Sequence, residues 1–169
     1  ALFNEIGSSP ARMESSKAID AYGLLPGHKM QQADAAQAYT QALMGNSIMG
    51  GDNSCRVKVS TWIRLPPECR PKSWKGHYRD PVVPMERALY GHPDAGGYWE
   101  KHAESKLKEI GFKPIPEWPS CFFHKELKTT LAIYVDDFKV SGPIPGVKES
   151  WRRIGKHINI DPPHEADKY

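Results

Sequence analysis

Two adjacent carboxylates, Asp136 and Asp137, lie between two short apolar runs of the sequence. The runs at 131–135 and 138–140 have the composition of strands, so the pattern predicts a hairpin whose tight turn carries both acids. Acids at such a tip are unfavourable unless a cation compensates them, and hard divalent cations such as Mg²⁺ prefer carboxylate oxygens. The pattern therefore indicates metal-dependent chemistry on a phosphate substrate, although Asp-Asp by itself is also typical of a solvated turn.

A third carboxylate, Asp34, is the upstream partner that such a site requires. A catalytic pair of metal ions needs carboxylates from more than one part of the chain. Asp34 closes a short stretch that we expect to be a strand, and an Ala- and Gln-rich segment with helix-forming composition follows it. Tyr39 lies five residues beyond this acid. We therefore expect Asp34 to lie next to the predicted hairpin tip.

The spacing of these residues resembles the motifs of reverse transcriptases. Asp-x-x-x-Ala-Tyr at 34–39, followed far downstream by Tyr-Val-Asp-Asp at 134–137, is similar to their motifs A and C. Between them, residues 87–99 and 110–113 resemble the copia-type pattern A-L-Y-G-L-K-Q-A-P-R-A-W followed by L-G-F. The three blocks occur in the family's order, and the resemblance extends over about residues 9–151.

This resemblance implies a function and a set of site residues. The chain would be an RNA-directed DNA polymerase that joins dNTPs to the 3′-hydroxyl of a primer on an RNA or DNA template. Asp34 and Asp136 would be the principal ligands of two Mg²⁺ ions, for which Mn²⁺ can substitute, and Asp137 would be an accessory ligand. Tyr134 would support the turn near the primer terminus, and Val135 would share that substrate-binding hairpin.

Tyr39 occupies the position at which these polymerases place a steric gate. An aromatic ring beneath the nucleotide sugar leaves no room for a 2′-hydroxyl and so selects deoxynucleotides. The alternative interpretation is a buried aromatic residue on a helix, and the spacing from Asp34 favours the gate.

The sequence differs from the family pattern within the middle motif and at both ends. Asp94 stands where copia-type enzymes usually have Gln, and Gly96 replaces the following Pro. A carboxylate there would repel a triphosphate or a template unless it caps a helix. We also expect a basic fingers strand before residue 1 and a primer grip and thumb after residue 169. On this interpretation residues 1–169 are a palm-centred partial domain of a Pol polyprotein, whose remainder is a partner.

Composition sets broader limits. The chain has 169 residues, 39% hydrophobic and 25% charged, which is typical of one water-soluble globular domain. No apolar run is long enough to cross a membrane, and no secretory signal pattern begins the sequence. Three separated cysteines indicate neither a disulfide framework nor a zinc site. We expect a reducing compartment, the cytoplasm with its virus-like particles or the nucleus, and no secretion.

The net charge of +3 is mild, but basic residues cluster on two predicted helices. Such faces could contact a phosphate backbone, and an ordinary solvated helix face explains them equally well. The two clusters comprise Lys101, Lys106, Lys108 and Lys113, and Lys148, Arg152, Arg153 and Lys156.

The remaining patterns predict the elements that position the site. Helices are expected from Ser9-Pro10 to Gly23, over 35–44, from Asp94 to Ile110 and over 147–158. In the third helix Trp99 belongs to an apolar stripe, which favours a plain core role. Strands are expected over 61–65 and 81–84, at 121–123 pairing with 131–135, and at 138–141, with loops at 45–54 and 72–80.

These elements predict an α+β fold in which helices pack on one face of an antiparallel, palm-like sheet, with incomplete fingers and thumb. The leading hypothesis is a copia-type reverse transcriptase segment. The second is a truncated or decayed relic that folds but does not polymerise. The third is a nucleic-acid-binding module that does not need its carboxylates.

Overall fold

An antiparallel sheet of six strands forms the centre of the computed structural model, which describes residues 9–44 and 61–166. The strands of this sheet lie in the order β4-β5-β6-β7-β1-β8, and a separate two-stranded sheet pairs β2 with β3. The strands are β1 (His28–Asp34), β2 (Trp62–Arg64), β3 (Val82–Pro84), β4 (Lys113–Pro114), β5 (Cys121–His124), β6 (Thr129–Tyr134), β7 (Asp137–Pro143) and β8 (His164–Glu165). The predicted β5–β6 hairpin, the returning β7 and the strand ending at Asp34 are confirmed.

Helices complete an α+β fold, as the sequence predicts. They are α1 (Met13–Gly23), α2 (Ala38–Gln41), α3 (Ala95–Glu109) and α4 (Ile144–Ile154), with 3₁₀ turns at Pro67–Cys69 and Lys72–Trp74. The second 3₁₀ turn lies within the predicted 72–80 loop. None of the helices in the described ranges combines the length and the apolar character that crossing a bilayer requires. The predicted loop at 45–54 lies outside the described residues.

Helix α1 begins later than its sequence signals predict. Ser9 and Pro10 have the form of a helix start, but tertiary hydrogen bonds hold this stretch extended. The Ser9 N–H donates to a Glu100 carboxylate oxygen at 2.9 Å, and the Ala11 N–H donates to the Ile133 carbonyl at 3.2 Å. Because these backbone groups are already paired, the helix starts only at Met13. Its predicted end at Gly23 is confirmed.

Two other helices differ in length from the prediction. The helix expected over 35–44 is reduced to α2, because Gln37 takes a left-handed backbone conformation and Ala35 bridges to Ile160. The helix expected over 147–158 begins at Ile144 instead, since Pro145 in its first turn needs no N–H partner. It ends at Ile154, and Ile158 is buried in the turn that follows.

The expectation that all helices pack on one face of the sheet is wrong. Successive strand residues point to opposite faces. In β7, Phe138 and Val140 join the main core with α3 and α4, whereas Lys139 between them binds Asp20 of α1. Helix α1 therefore covers the opposite face, where Ile19 packs with Cys121 and Ala132. Only the tertiary structure decides this, because an amphipathic helix does not encode which face of a sheet it covers.

The main core lies between the sheet and the pair α3 and α4. Its largest buried side chains include Trp99, Leu107, Phe112, Leu131, Phe138, Trp151 and Ile154. The predicted stripe of α3 is confirmed, since Tyr98, Trp99, Ala103 and Leu107 are all buried. This core holds β1, β6 and β7 in fixed positions, and these strands and the β6–β7 turn carry all the predicted site residues except Tyr39 of α2.

Candidate active site

The predicted carboxylates meet where β1 ends and β7 begins. Asp34, the last residue of β1, is directly opposite Asp137, the first residue of β7. The Ala35 N–H donates to the Asp136 carbonyl at 2.8 Å, which extends the backbone pairing beyond the carboxylates. Backbone hydrogen bonds therefore bring together acids that are about a hundred residues apart in the sequence.

The hairpin tip is a two-residue turn formed by Val135 and Asp136, because Tyr134 pairs with Asp137. Val135 has a positive φ of 59°, a conformation that is unfavourable for a β-branched residue. Tyr134 and Val135 are 58% and 40% exposed, so both side chains of this predicted substrate-binding pair are accessible from solvent. Strained backbone of this kind persists only where the surrounding structure holds it.

Trp99 holds this strained turn. Its indole N–H donates to the Val135 carbonyl at 2.6 Å, while its ring is buried in the core beside Phe138. From the sequence, Trp99 is predicted to have a core role alone, without this contact. No sequence signal identifies it, because the donor and acceptor belong to elements 36 residues apart.

Like charges crowd the tip and change the ionisation of Asp137. Although this residue is exposed overall, partial desolvation of its carboxyl group raises its pKa to about 6. A hydrogen bond with Asp34 and the negative charges of Asp34 and Asp136 act in the same direction, and Lys139 opposes them. Lys139 offers limited compensation, because its ammonium group binds Asp20 of α1 at 2.9 Å.

The chemistry of this set fits a hard divalent cation, since all its donors are carboxylate oxygens and its negative charge is concentrated. The arrangement of the side chains, however, is not that of a metal site. Within residues 9–44 and 61–166, no group of three or more His, Cys, Asp or Glu side chains is arranged to hold a metal ion.

Tyr39 lies in α2 at the boundary between two apolar clusters. Its ring contacts Tyr90, with centroids 4.5 Å apart, and it is partly buried against both clusters. It also lines a cavity that Trp99 and Val135 share. The residue is thus packed on one side and open on the other, which is compatible with both the gate and the core interpretations.

Asp94 lies at the N-cap position of α3, as predicted, but its side chain makes no capping hydrogen bond. It is only 6% exposed, and its backbone N–H donates to Nδ1 of His92 at 3.1 Å. Burial raises the pKa of the neighbouring Tyr98, and the charge of Asp94 adds to that effect. Asp94 is therefore a buried residue of this helix start and has little surface to offer a substrate.

The two basic clusters are partly neutralised within the chain. Lys106 pairs with Glu109 and Lys108 with Glu104, while Arg152 and Arg153 both bind Glu149. These two guanidinium groups lower the pKa of Glu149 to about 2. Half of the eight predicted phosphate-contacting residues are thus engaged with carboxylates, as on an ordinary solvated helix face.

Comparisons of this chain with protein-family models, curated proteins and solved structures found no match.

Proposed function

We propose that this chain is the palm-centred part of a copia-type retrotransposon reverse transcriptase, an RNA-directed DNA polymerase. The observation that carries the proposal is the register of Asp34 opposite Asp137 at the end of two neighbouring strands. At a single turn, this register brings together the two sequence motifs that resemble those of reverse transcriptases. The six-stranded antiparallel sheet supports a palm-like role for the fold.

Asp34, Asp136 and Asp137 would hold Mg²⁺ ions, or Mn²⁺ in their place. When bound, such ions activate the primer 3′-oxygen and neutralise the triphosphate and the leaving pyrophosphate. The protein's part is to fix the carboxylates: backbone pairing sets Asp34 against Asp137, and the Trp99 hydrogen bond sets the turn that carries Asp136. With its pKa raised to about 6, the Asp137 carboxyl group is predominantly ionised above that pH, the state in which it can bind a cation.

Template, primer and dNTP would approach this tip from the side on which Tyr134 is exposed. Tyr39 would lie beneath the nucleotide sugar and exclude a 2′-hydroxyl. The partial neutralisation of the basic clusters leaves few cations for the nucleic-acid backbone, so the remainder of the Pol polyprotein would supply the main phosphate contacts.

Two measurements test the proposal together. Electron paramagnetic resonance of Mn²⁺ reports binding to this chain, and primer extension reports activity in the longer polyprotein that the resemblance predicts. We expect Asp34→Asn and Asp136→Asn to weaken Mn²⁺ binding and to abolish extension. Asp80→Asn is the matched control, since Asp80 pairs with Arg64 beside the separate two-stranded sheet.

The outcomes separate the three hypotheses. Extension by Asp136→Asn at the unmodified rate would overturn the polymerase proposal. Mn²⁺ binding without any extension, even in the longer polyprotein, would identify a folded but inactive relic. Primer–template binding that is insensitive to all three carboxylates, with no Mn²⁺ bound, would identify a nucleic-acid-binding module.

A further inference from the structure

A cavity of about 610 Å³ lies beside the hairpin tip, on the α3 side of the sheet. Its walls come from α3, from the loop before β5 and from the segment preceding α1, and Val135 of the turn forms part of its surface. This volume is in the range of small-molecule binding sites in proteins. The cavity is thus large enough to take a ligand of its own.

Aromatic side chains form much of the lining. Tyr39, Trp99, Trp118 and Phe122 all contribute to it. Trp118 is 38% exposed, so a considerable part of its ring is not covered by the protein. Aromatic faces attract apolar groups and, through the quadrupole of the ring, cations.

The charged residues of the lining are mostly acidic. Glu100, Glu104 and Glu117 contribute to the wall, and Arg12 is the one lysine or arginine among the lining residues that the structure describes. Glu100 accepts hydrogen bonds from Ser9 and Ser120, and Glu104 pairs with Lys108 outside the lining. Because Arg12 and Lys108 offset two of these three carboxylates, the wall keeps a formal excess of one negative charge, which favours a cation over an anion of similar size.

We propose that this aromatic and acidic cavity binds a small organic cation with an aromatic or aliphatic body. The body would pack against Trp118 and Phe122, and the charged group would lie near the glutamates. Charge complementarity favours this occupant over a neutral or anionic molecule of the same shape. Although Tyr39 and Val135 of the lining also belong to the proposed nucleotide site, this inference rests on the cavity's aromatic and acidic walls and not on polymerase activity.

Three probes of nearly equal shape and different charge test this proposal. They are 2-naphthylmethylammonium, 2-naphthylmethanol and 2-naphthoate, each titrated into the full chain by isothermal titration calorimetry. We expect the cation to bind about tenfold more tightly than the neutral alcohol, and the anion to bind most weakly. The NMR signal of the Trp118 indole N–H should shift on addition of the cation, which locates the probe.

Substitutions then test the two parts of the cavity separately. Glu104→Gln and Glu117→Gln should remove most of the preference for the cation and leave the neutral probe unaffected. Glu126→Gln, the same change in the turn at the opposite end of β6, should alter neither. Trp118→Ala should weaken both the cation and the alcohol while the melting temperature stays close to that of the unmodified chain, which separates loss of binding from loss of folding.

Equal affinity for all three probes, or no binding by any of them, would overturn the proposal. A preference for the cation that survives both glutamate substitutions would also overturn it, because the charge would then be recognised elsewhere. Metal binding by the tip carboxylates, measured with Mn²⁺, is independent of all these outcomes and so keeps a failure here distinct from a failure of the polymerase proposal.

Discussion

The two ends of the β6–β7 pair differ in how they accommodate polar side chains. At the end away from the hairpin tip, buried polar groups bind one another: Thr129 and Ser150 join their hydroxyl groups at 2.9 Å, and both are fully buried. At the tip, Asp34, Asp136 and Asp137 are neighbours of like charge, and Val135 has an unfavourable backbone conformation. One end buries neutral polar groups, of which the Ser141 hydroxyl makes no hydrogen bond, and the other concentrates charge that the fold leaves largely uncompensated.

This difference separates the part of the sheet that stabilises the fold from the part that has the character of a site. Strained backbone and shifted pKa values are typical of binding sites, whereas a region with only a structural role does not retain them. The remote end should therefore respond to substitution with a large loss of stability. The tip should respond with small losses or with gains.

The largest effect is expected from Gly146→Ala at the remote end. A Cβ at this position of α4 would overlap the Leu127 carbonyl oxygen, which is backbone and has little freedom to move. Alanine normally stabilises a helix relative to glycine, but here the overlap should destabilise the fold by about 3 kcal/mol. Urea denaturation measures the change.

Gly155→Ala is the control for this prediction. The nearest atom to its added Cβ would be the Trp151 carbonyl oxygen at 3.4 Å, an ordinary contact. We expect a change of less than about 1 kcal/mol. Equal effects at Gly146 and Gly155 would show that helix propensity, and not the close approach to the β5–β6 turn, decides the outcome.

Trp99→Phe connects the core with the tip. Loss of the hydrogen bond to the Val135 carbonyl, together with the smaller ring, should lower stability by about 2 kcal/mol. Hydrogen exchange should accelerate at the amides of Val135 and Asp136 more than in the remote turn at 125–128. Uniform acceleration over the whole sheet would mean that Trp99 supports the core without any specific effect on the tip.

Tyr39→Val distinguishes the gate from the core interpretation. As Tyr39 is partly buried and its ring contacts that of Tyr90 at a tilted angle, we expect a loss of between about 1 and 2 kcal/mol. If the ring lies beneath the nucleotide sugar, ribonucleotide incorporation should also rise relative to deoxynucleotide incorporation in the longer polyprotein. A lower melting temperature with an unchanged ratio of the two incorporation efficiencies would leave Tyr39 with a core role only.

The smallest effect, and the one of opposite sign, is expected from Asp137→Asn in the absence of added metal. The folded protein raises the pKa of this carboxyl group from 3.8 to about 6, so the folded state binds the proton more tightly than the unfolded state does. Stability therefore falls as the pH rises from about 4 to 6. At pH 7 the substitution should stabilise the fold by about 1 kcal/mol, after allowance for solvent screening of an exposed group.

The pH profile provides the check on this prediction. The difference between Asp137→Asn and the unmodified chain should be fully present above pH 6 and should vanish below about pH 4. Asp80→Asn is again the control, since Asp80 pairs with Arg64 and Arg70 and its neutralisation should destabilise slightly. A stabilisation by Asp137→Asn that persists at pH 3 would mean that the ionisation of Asp137 is not its cause.

Local patterns were sufficient to predict much of this molecule. The short apolar runs within residues 121–141 predict three strands and the turn with its acids, because strand and turn composition are properties of neighbouring residues. The stripe of α3 was predicted for the same reason, and so was the strand that ends at Asp34. Helix starts were less predictable: Ser9 has the form of a cap, but its N–H binds Glu100 instead.

The sequence by itself determined which residues could form the site: two adjacent acids on a turn, a third acid at a strand end, and an aromatic residue five positions later. Only the tertiary structure decided that Asp34 pairs with Asp137, that Trp99 holds Val135 and that α1 covers the opposite face of the sheet. Register and face depend on contacts between elements that are far apart in the chain. Each element's own sequence is compatible with several such arrangements, and the packing of the whole core selects one of them.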